Sequence, residues 1–318
     1  MGTRGGALKL FDAHCHLQDP RVYHLAPQLV QTALGSGVRR FVVNGVSEKD
    51  WHRVKQMADA YPSVIPSFGL HPWYVEDRSA DWFKSMEEFF ESTPCAAVGE
   101  IGLDKGSHGR EIDFQSQVQV FEQQLKLAKE IQKPVSVHCV RAFGDVLHAL
   151  QSIGPFPAGV ILHSYQGSAE LVPGFAKLGA YFSFSGHLIS MKTQKAKKML
   201  KAVPTDRILL ETDAPDALPQ GALTSLSWVP GDASVPEDLW KQGGDLDTNA
   251  IPSSHDSIAA SDTSTLPKEA LNHPVNIHTV LSFVASMLEM SNEELAEISY
   301  RNAVSLFSYP GSKISGES

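Results

Sequence analysis

Two histidines one residue apart, His14 and His16, stand where the apolar run in "FDAHCHL" is about to end. Alternate side chains of a strand point the same way, so the two imidazoles share a face and make half of a metal site. A lone His-x-His is weak evidence; its weight depends on what the rest of the chain brings to the same place. His71 follows the run "VIPSFGL", Glu100 lies in "AAVGEIGLD", His138 is in "PVSVHC", His163 follows "GVIL" and Asp213 follows "RILLE". Histidine and carboxylate are costly in apolar segments, since each buried polar group must find a partner. Four imidazoles and two carboxylates exceed the three protein ligands plus water of one catalytic zinc. The expected metal ligands are therefore His14, His16, Glu100, His138, His163 and Asp213, holding two divalent cations. If Glu100 bridges, one ion takes His14, His16, Glu100 and Asp213, and the other takes Glu100, His138 and His163. Two ions ~3.5–4 Å apart can clamp the attacking and leaving oxygens of a phosphodiester and acidify a bound water. Glu100 and Asp213 are thus the catalytic candidates, Asp213 as the carboxylate that orients the water or takes its proton. Zn, Mg and Mn all suit such ligands to differing degrees, so the metal's identity stays open.

The elements that must position these residues recur about every thirty residues. Eight short β-branched runs occur: "LKLFDAH", "RRFVVNG", "VIPSFGLHP", "AAVGEIGLD", "PVSVHC", "GVILHSY", "AYFSFSG" and "RILLETDAP". Helical segments lie between them. In "DFQSQVQVFEQQLKLAKEIQKP", Phe114, Val118, Phe121, Leu125 and Ala128 repeat at helical spacing, and Pro134 marks the stop. Strand alternating with helix implies a parallel sheet. Eight strands fit a closed (β/α)8 TIM barrel; a doubly wound open sheet is the structural alternative. In a barrel the chemistry sits at the C-terminal strand ends, where all six ligand candidates fall.

The single barrel domain is expected over 8–306, interrupted by a flexible acidic insertion at 216–266 and followed by a tail at 307–318. The insertion is rich in Ser, Asp, Pro, Gly and Thr and lacks periodicity. It holds eight acids and one base, so of the chain's net −9 only −2 belongs elsewhere. The charge therefore argues little against a nucleic-acid substrate. After it, "NIHTVLSFVASMLEM" and "SNEELAEISYRNAVSLF" read as closing helices, with Ser291 and Glu294 as a capping box. Three cysteines in a long chain do not resemble a secreted disulfide framework. Alternation turns Cys15 and Cys139 away from the neighbouring histidines, as packed small residues. No apolar run spans a bilayer, and the start lacks both a signal-peptide apolar region and a myristoylation pattern. The expectation is an intracellular, cytoplasmic protein with no membrane contact and no obligate protein partner.

His71 lies at the mouth, either as a partner for a substrate phosphate or as a capping histidine fixed by Pro72. Arg141, just after the fifth strand, could reach a phosphate or sit exposed at a helix start. Trp73, Tyr74 and Tyr165 lie in mouth loops, with packing favoured over stacking on a base. The remaining histidines, including His108 and His187, are read as surface or packing residues.

"FDAHCHL", "GLHPW", "VGEIGLD", "PVSVHC", "ILHSYQGS", "FSFSG" and "ILLETDAP" together resemble, in order, the motifs of the TatD family of metal-dependent deoxyribonucleases. The resemblance runs from about Phe11 to Pro215 and resumes near Asn272. It implies a (β/α)8 barrel with a divalent two-metal site that hydrolyses DNA, the substrate being single strands or ends. In the family, the positions matching the six candidates bind metal, and that of His71 lies by the substrate phosphate. Val140 stands where the family commonly has Arg, with Arg141 one step later. "KGSHG" replaces the usual aromatic–histidine pair after "GLD", and Ser164-Tyr165 replaces Cys-Phe. These departures bear on substrate choice. Alternatives are a small-molecule amidohydrolase, an aminoacyl-tRNA deacylase and a non-catalytic scaffold. The first commonly bridges its metals with a fourth-strand lysine, and here that strand offers Glu100 and no lysine.

Overall fold

The computed structural model describes residues 8–219, 226–232, 234–235 and 270–314. All eight apolar runs are strands: β1 (Leu10–Cys15), β2 (Val38–Asn44), β3 (Val64–Phe68), β4 (Ala97–Asp104), β5 (Val135–Val140), β6 (Val160–Leu162), β7 (Tyr181–Phe184) and β8 (Ile208–Leu210). They pair in chain order, each neighbour parallel. The amide of Asp213 donates to the carbonyl of His14 (2.9 Å), and that of His16 donates to Ala214 (2.7 Å). Through these bonds the segment after β8 meets the end of β1. The result is the expected barrel rather than an open sheet.

Helices α1 (Ala26–Gly35), α2 (Trp51–Ala60), α3 (Trp82–Ser92), α4 (Phe114–Glu130), α5 (Phe143–Ile153), α6 (Val172–Lys177) and α7 (Thr193–Ala202) form the connections. Helices α8 (Ile277–Leu288) and α9 (Asn292–Phe307) follow. The Ser291 hydroxyl accepts from the Glu294 amide (3.1 Å) at the start of α9, the cap expected there. Strands covered on both faces read as near-continuous apolar runs, and β1, β3 and β4 are buried at every position.

A second apolar cluster draws Phe11, Val42, Ile65, Ala97, Ile161, Tyr181 and Leu209 together with Leu306, Phe307, Tyr309 and Ile314. Residues from seven strands around the ring can meet only inside it, so α9 and the chain after it close one end. Phe307 stacks on Phe11 at 5.4 Å. The segment from Phe307 to Ile314, assigned to a tail by sequence, is therefore packed against this floor.

Helix α4 differs from expectation in its buried face. Phe121, Leu125 and Ala128 are buried, whereas Phe114 and Val118 are only partly so. Two polar residues, Gln117 and Gln124, are instead fully covered. Gln124 brackets the backbone of Leu70, accepting from its amide (2.7 Å) and donating to its carbonyl (3.0 Å). Gln117 accepts from the amide of Asp104 (2.9 Å) and donates to the carbonyl of Gly109 (2.7 Å). Irregular chain leaving β3 and β4 has backbone groups that need partners, and the two amides supply them.

Most of the acidic insertion lies outside the described residues. Its first residue, Asp216, is paired in a bidentate contact with the buried Arg21 (3.0 and 2.8 Å), which also grips Asp19. Trp228–Pro230 (β9) and Ala270–Asn272 (β10) form an antiparallel pair. After β10, His273 is fully buried and accepts the Val275 amide on Nδ1 (2.9 Å). Burial pushes its pKa down to about 4. The folded state thus binds fewer protons than the unfolded one, and stability is lost as pH falls from about 6.5 towards 4. Relative to His273→Asn, the wild type is expected to lose up to ~3 kcal/mol over that window. Urea denaturation of both proteins across the window checks this; parallel curves would refute it.

Candidate metal centre

The six ligand candidates converge at the C-terminal rim, around one carboxylate. Glu100 lies in β4 and is 3% exposed. Its Oε2 is 3.4 Å from His14 Nε2 and 3.2 Å from His16 Nε2. Its Oε1 is 3.0 Å from His138 Nδ1, 2.8 Å from His163 Nε2 and 3.4 Å from His71 Nε2. Asp213 Oδ1 reaches the first pair, at 3.5 Å from His16 and 3.9 Å from His14. Asp213 has φ +57°, a left-handed conformation that aspartate tolerates better than most residues. Close strand approach helps: a Cβ on Gly102 would lie 2.0 Å from the carbonyl oxygen of His138, so a side chain there would force β4 from β5.

Three of the four ligand-candidate imidazoles are oriented from behind by a hydrogen bond. His16 Nδ1 faces the carbonyl of Asn44 (2.8 Å), an acceptor only, so Nδ1 carries the proton and Nε2 a lone pair. His138 Nε2 is 3.0 Å from the Asp104 carboxylate, which leaves the Nδ1 lone pair facing inward. His14 Nδ1 meets Ser136 Oγ at 2.8 Å. His163 Nδ1 lies 3.6 Å from Glu211 without a hydrogen bond. His71 is different. Its Nδ1 accepts the Trp73 amide (3.2 Å), so the neutral ring carries its proton on Nε2 and presents a donor to Glu100. It is therefore both the cap at Pro72 and a member of the cluster.

This inner surface requires positive charge. Inward lone pairs of His16 and His138 face carboxylate oxygen, and His14 and His16 oppose their Nε2 atoms at 3.1 Å. Either protons or metal ions must lie between. Burial alone would hold His16 down, but the hydrogen bond and charge of Glu100 outweigh it and raise the pKa to about 9. Glu100 itself is held low by His163 and its neighbours, despite burial. Burial pushes His14 down to about 3 and His71 down to about 4. Burial also keeps Asp213 above the usual carboxylate range, although His163 and His16 oppose it. Three groups bring ligand atoms within 4.8 Å of one another: His14, His16 and Asp213; His71, Glu100 and His138; and His14, His163 and Glu211.

Sequence reasoning missed Asp104, Glu211, Ser136 and His187. Asp104 takes the Trp73 indole N–H (2.6 Å) and His138 on the same oxygen. Glu211 is fully buried and accepts from the Ser164 amide and hydroxyl (both 2.7 Å) and from Ser183 Oγ. Asp104 lies four residues after Glu100, Glu211 two before Asp213 and Ser136 two before His138. Period-two alternation was the signal that could have found all three. His187, half-exposed in the loop after β7, comes within 3.8 Å of Asp213 Oδ2. Arg141 is exposed, with φ +54° and no ion pair among the described residues. Tyr165 is buried, as packing required. Cys15, Cys95 and Cys139 are free thiols, and Cys15 is buried outside the cluster.

A parallel barrel with histidine–carboxylate clusters on its C-terminal rim is the architecture of a metal-dependent hydrolase. Residues 11–308 match the family model described as TatD related DNase, and the chain belongs to that family. It is 31% identical over 210 residues to the uncharacterized metal-dependent hydrolase YabD of Bacillus subtilis (strain 168), which covers 66% of this chain and 82% of the relative. It is 28% identical over 213 residues to the 3'-5' ssDNA/RNA exonuclease TatD of Pantoea sp. (strain At-9b), 66% of this chain and 81% of that one. Among solved structures, the TatD homolog YjjV of Escherichia coli K12 matches the fold with a TM-score of 0.74 at 24% identity, over 96% of this chain and 100% of that one.

Proposed function

We propose that the protein is a deoxyribonuclease that hydrolyses phosphodiester bonds, in single strands or at ends, with a two-metal centre. The observation that carries this reading is Glu100 dividing its two oxygens between two pairs of imidazoles. His14, His16, Glu100 and Asp213 would hold one ion, and Glu100, His138 and His163 the other. Charge balance supports the number. Glu100, Asp104, Glu211 and Asp213 are all buried, and the ion-pair partners of each among the described residues are histidines alone. Four negative charges match two divalent cations with every imidazole neutral. Asp12 stays outside this count, because its oxygens face the Thr212 amide and hydroxyl and no histidine.

When bound, such ions would acidify a water and neutralise charge on the phosphate. The chain's own groups do the rest. Asp213, beside His14 and His16, takes a proton from the attacking water. The His71 Nε2–H donates towards a phosphate oxygen beside Glu100. Arg141, exposed at the end of β5, supplies charge for a flanking phosphate. Asp104 fixes His138 in the tautomer whose Nδ1 can ligate. Removing such a carboxylate behind a ligand typically costs ~10–100-fold in metal affinity or activity. Asp104→Asn is expected to fall in that range, read by metal titration; unchanged affinity would refute the role.

The free thiols support an intracellular enzyme. No helix among the described residues is long and apolar enough to cross a membrane. The test is metal content of the purified protein, then turnover of oligonucleotides blocked at the 3' or 5' end, with an aminoacyl-tRNA arm. Two equivalents of metal with DNA cleavage are expected. Ester turnover on aminoacyl-tRNA alone, or one metal only, would overturn the reading.

A further inference from the structure

The charge along the chain is uneven in a way the metal centre does not explain. From Leu171 to Thr205 there are six lysines and no acid, in a protein of net charge −9. Five of them, Lys192, Lys195, Lys197, Lys198 and Lys201, fall in or beside α7. Ala196, Met199 and Leu200 bury one face of that helix, so Lys197, Lys198 and Lys201 occupy the opposite one, with Lys195 at its edge and Lys192 at the N-cap. Like charges three and four residues apart weaken a helix, and this face repeats that arrangement at Lys195–Lys198, Lys198–Lys201 and Lys197–Lys201. Its neighbours offset only part of the charge. Glu289 pairs with Lys197 (2.8 Å) and Lys201 (3.6 Å), and Glu170 with Lys198 (2.5 Å). Lys192 and Lys195 are exposed and form no ion pair among the described residues. Helix α7 starts at the catalytic end of the barrel, directly after the loop whose His187 approaches Asp213. The row of ammonium groups therefore begins at the mouth and runs down the outside for ~15 Å, the length of ten helical residues.

We propose that this face is a track for the phosphate backbone of the single-stranded polynucleotide whose scissile bond lies in the centre, an inference that rests on the function proposed above. Exposed lysines that neutralise phosphates release counterions, so binding weakens with salt by a slope of ~0.7 per phosphate contacted on single strands. The paired lysines can exchange Glu289 and Glu170 for phosphate, while Lys192 and Lys195 need give up nothing.

The test measures anisotropy of a labelled 15-mer oligothymidylate with hydrolysis-resistant phosphorothioate linkages, using the metal-loaded full-length protein across a salt series. The variants are Lys192→Ala with Lys195→Ala, and as a control Lys84→Ala with Lys126→Ala on α3 and α4. The track predicts that the first pair lowers the salt slope by ~1.4, two contacts of 0.7 each, and weakens binding at low salt. It predicts the wild-type slope for the control, and unchanged metal-supplemented hydrolysis of bis(p-nitrophenyl) phosphate by both. An unchanged slope in the first pair, or an equal loss in the control, would overturn it. So would wild-type protein that ignores the oligonucleotide but binds phosphatidylserine vesicles through the same lysines. Salt-dependent oligonucleotide binding with no phosphodiester turnover would leave the track standing and remove the nuclease reading. Turnover of the small ester with no oligonucleotide binding would do the reverse.

Discussion

Glu100→Gln is expected to abolish divalent-metal binding and hydrolysis together while the barrel stays folded. The amide keeps the size of the side chain but has one acceptor oxygen in place of two charged ones, so it cannot serve both imidazole pairs. Breaking a buried ion pair commonly costs ~3–5 kcal/mol because the other charge is stranded. Here the histidines can release their protons instead, which limits the loss. The cleanest readout is therefore linkage. A metal held at a thousandfold above its Kd stabilises the folded state by ~4 kcal/mol, so chelation should lower the melting temperature of the wild type and leave that of Glu100→Gln unmoved. Metal analysis should find ions in the first protein only. A variant that keeps two ions, or that still responds to chelator, would show that Glu100 is no bridge.

Asp213→Asn is expected to lower kcat by ~10²–10⁴-fold, the contribution of a positioned general base, with a much smaller change in KM. His14, His16 and Glu100 remain to hold the first ion, so metal content should fall less than in Glu100→Gln. The pH profile separates a base from a mere ligand. Only the ionised form of Asp213 can accept a proton. Wild-type activity should thus climb as pH rises through that ionisation, and the limb should vanish in the variant. Turnover within a few-fold of wild type, or an unaltered acid limb, would assign the proton transfer elsewhere.

The eight strands were legible because parallel strands covered on both sides need unbroken apolar runs, and such runs stand out between amphipathic helices. The six ligand candidates were legible for a related reason: imidazole and carboxylate are conspicuous at the ends of those runs. Asp104 and Glu211 sit within the same quoted motifs; alternation places them on the ligand face, but nothing local says that each backs an imidazole. The buried Gln117 and Gln124 were invisible to periodicity, which counts only apolar side chains. Their role depends on loop backbone brought close by folding.

The order of residue types along the chain determined the barrel and the set of side chains at its rim, through alternation and strand spacing. Only the tertiary structure decided how those side chains divide the work. Glu100 aims one oxygen at His14 and His16 and the other at His138 and His163. The Trp73 amide makes His71 a donor while its four neighbours present or can present lone pairs. Such assignments turn on which atom of a ring or carboxylate meets which partner, and those partners lie up to two hundred residues away, as Thr212 does from Asp12.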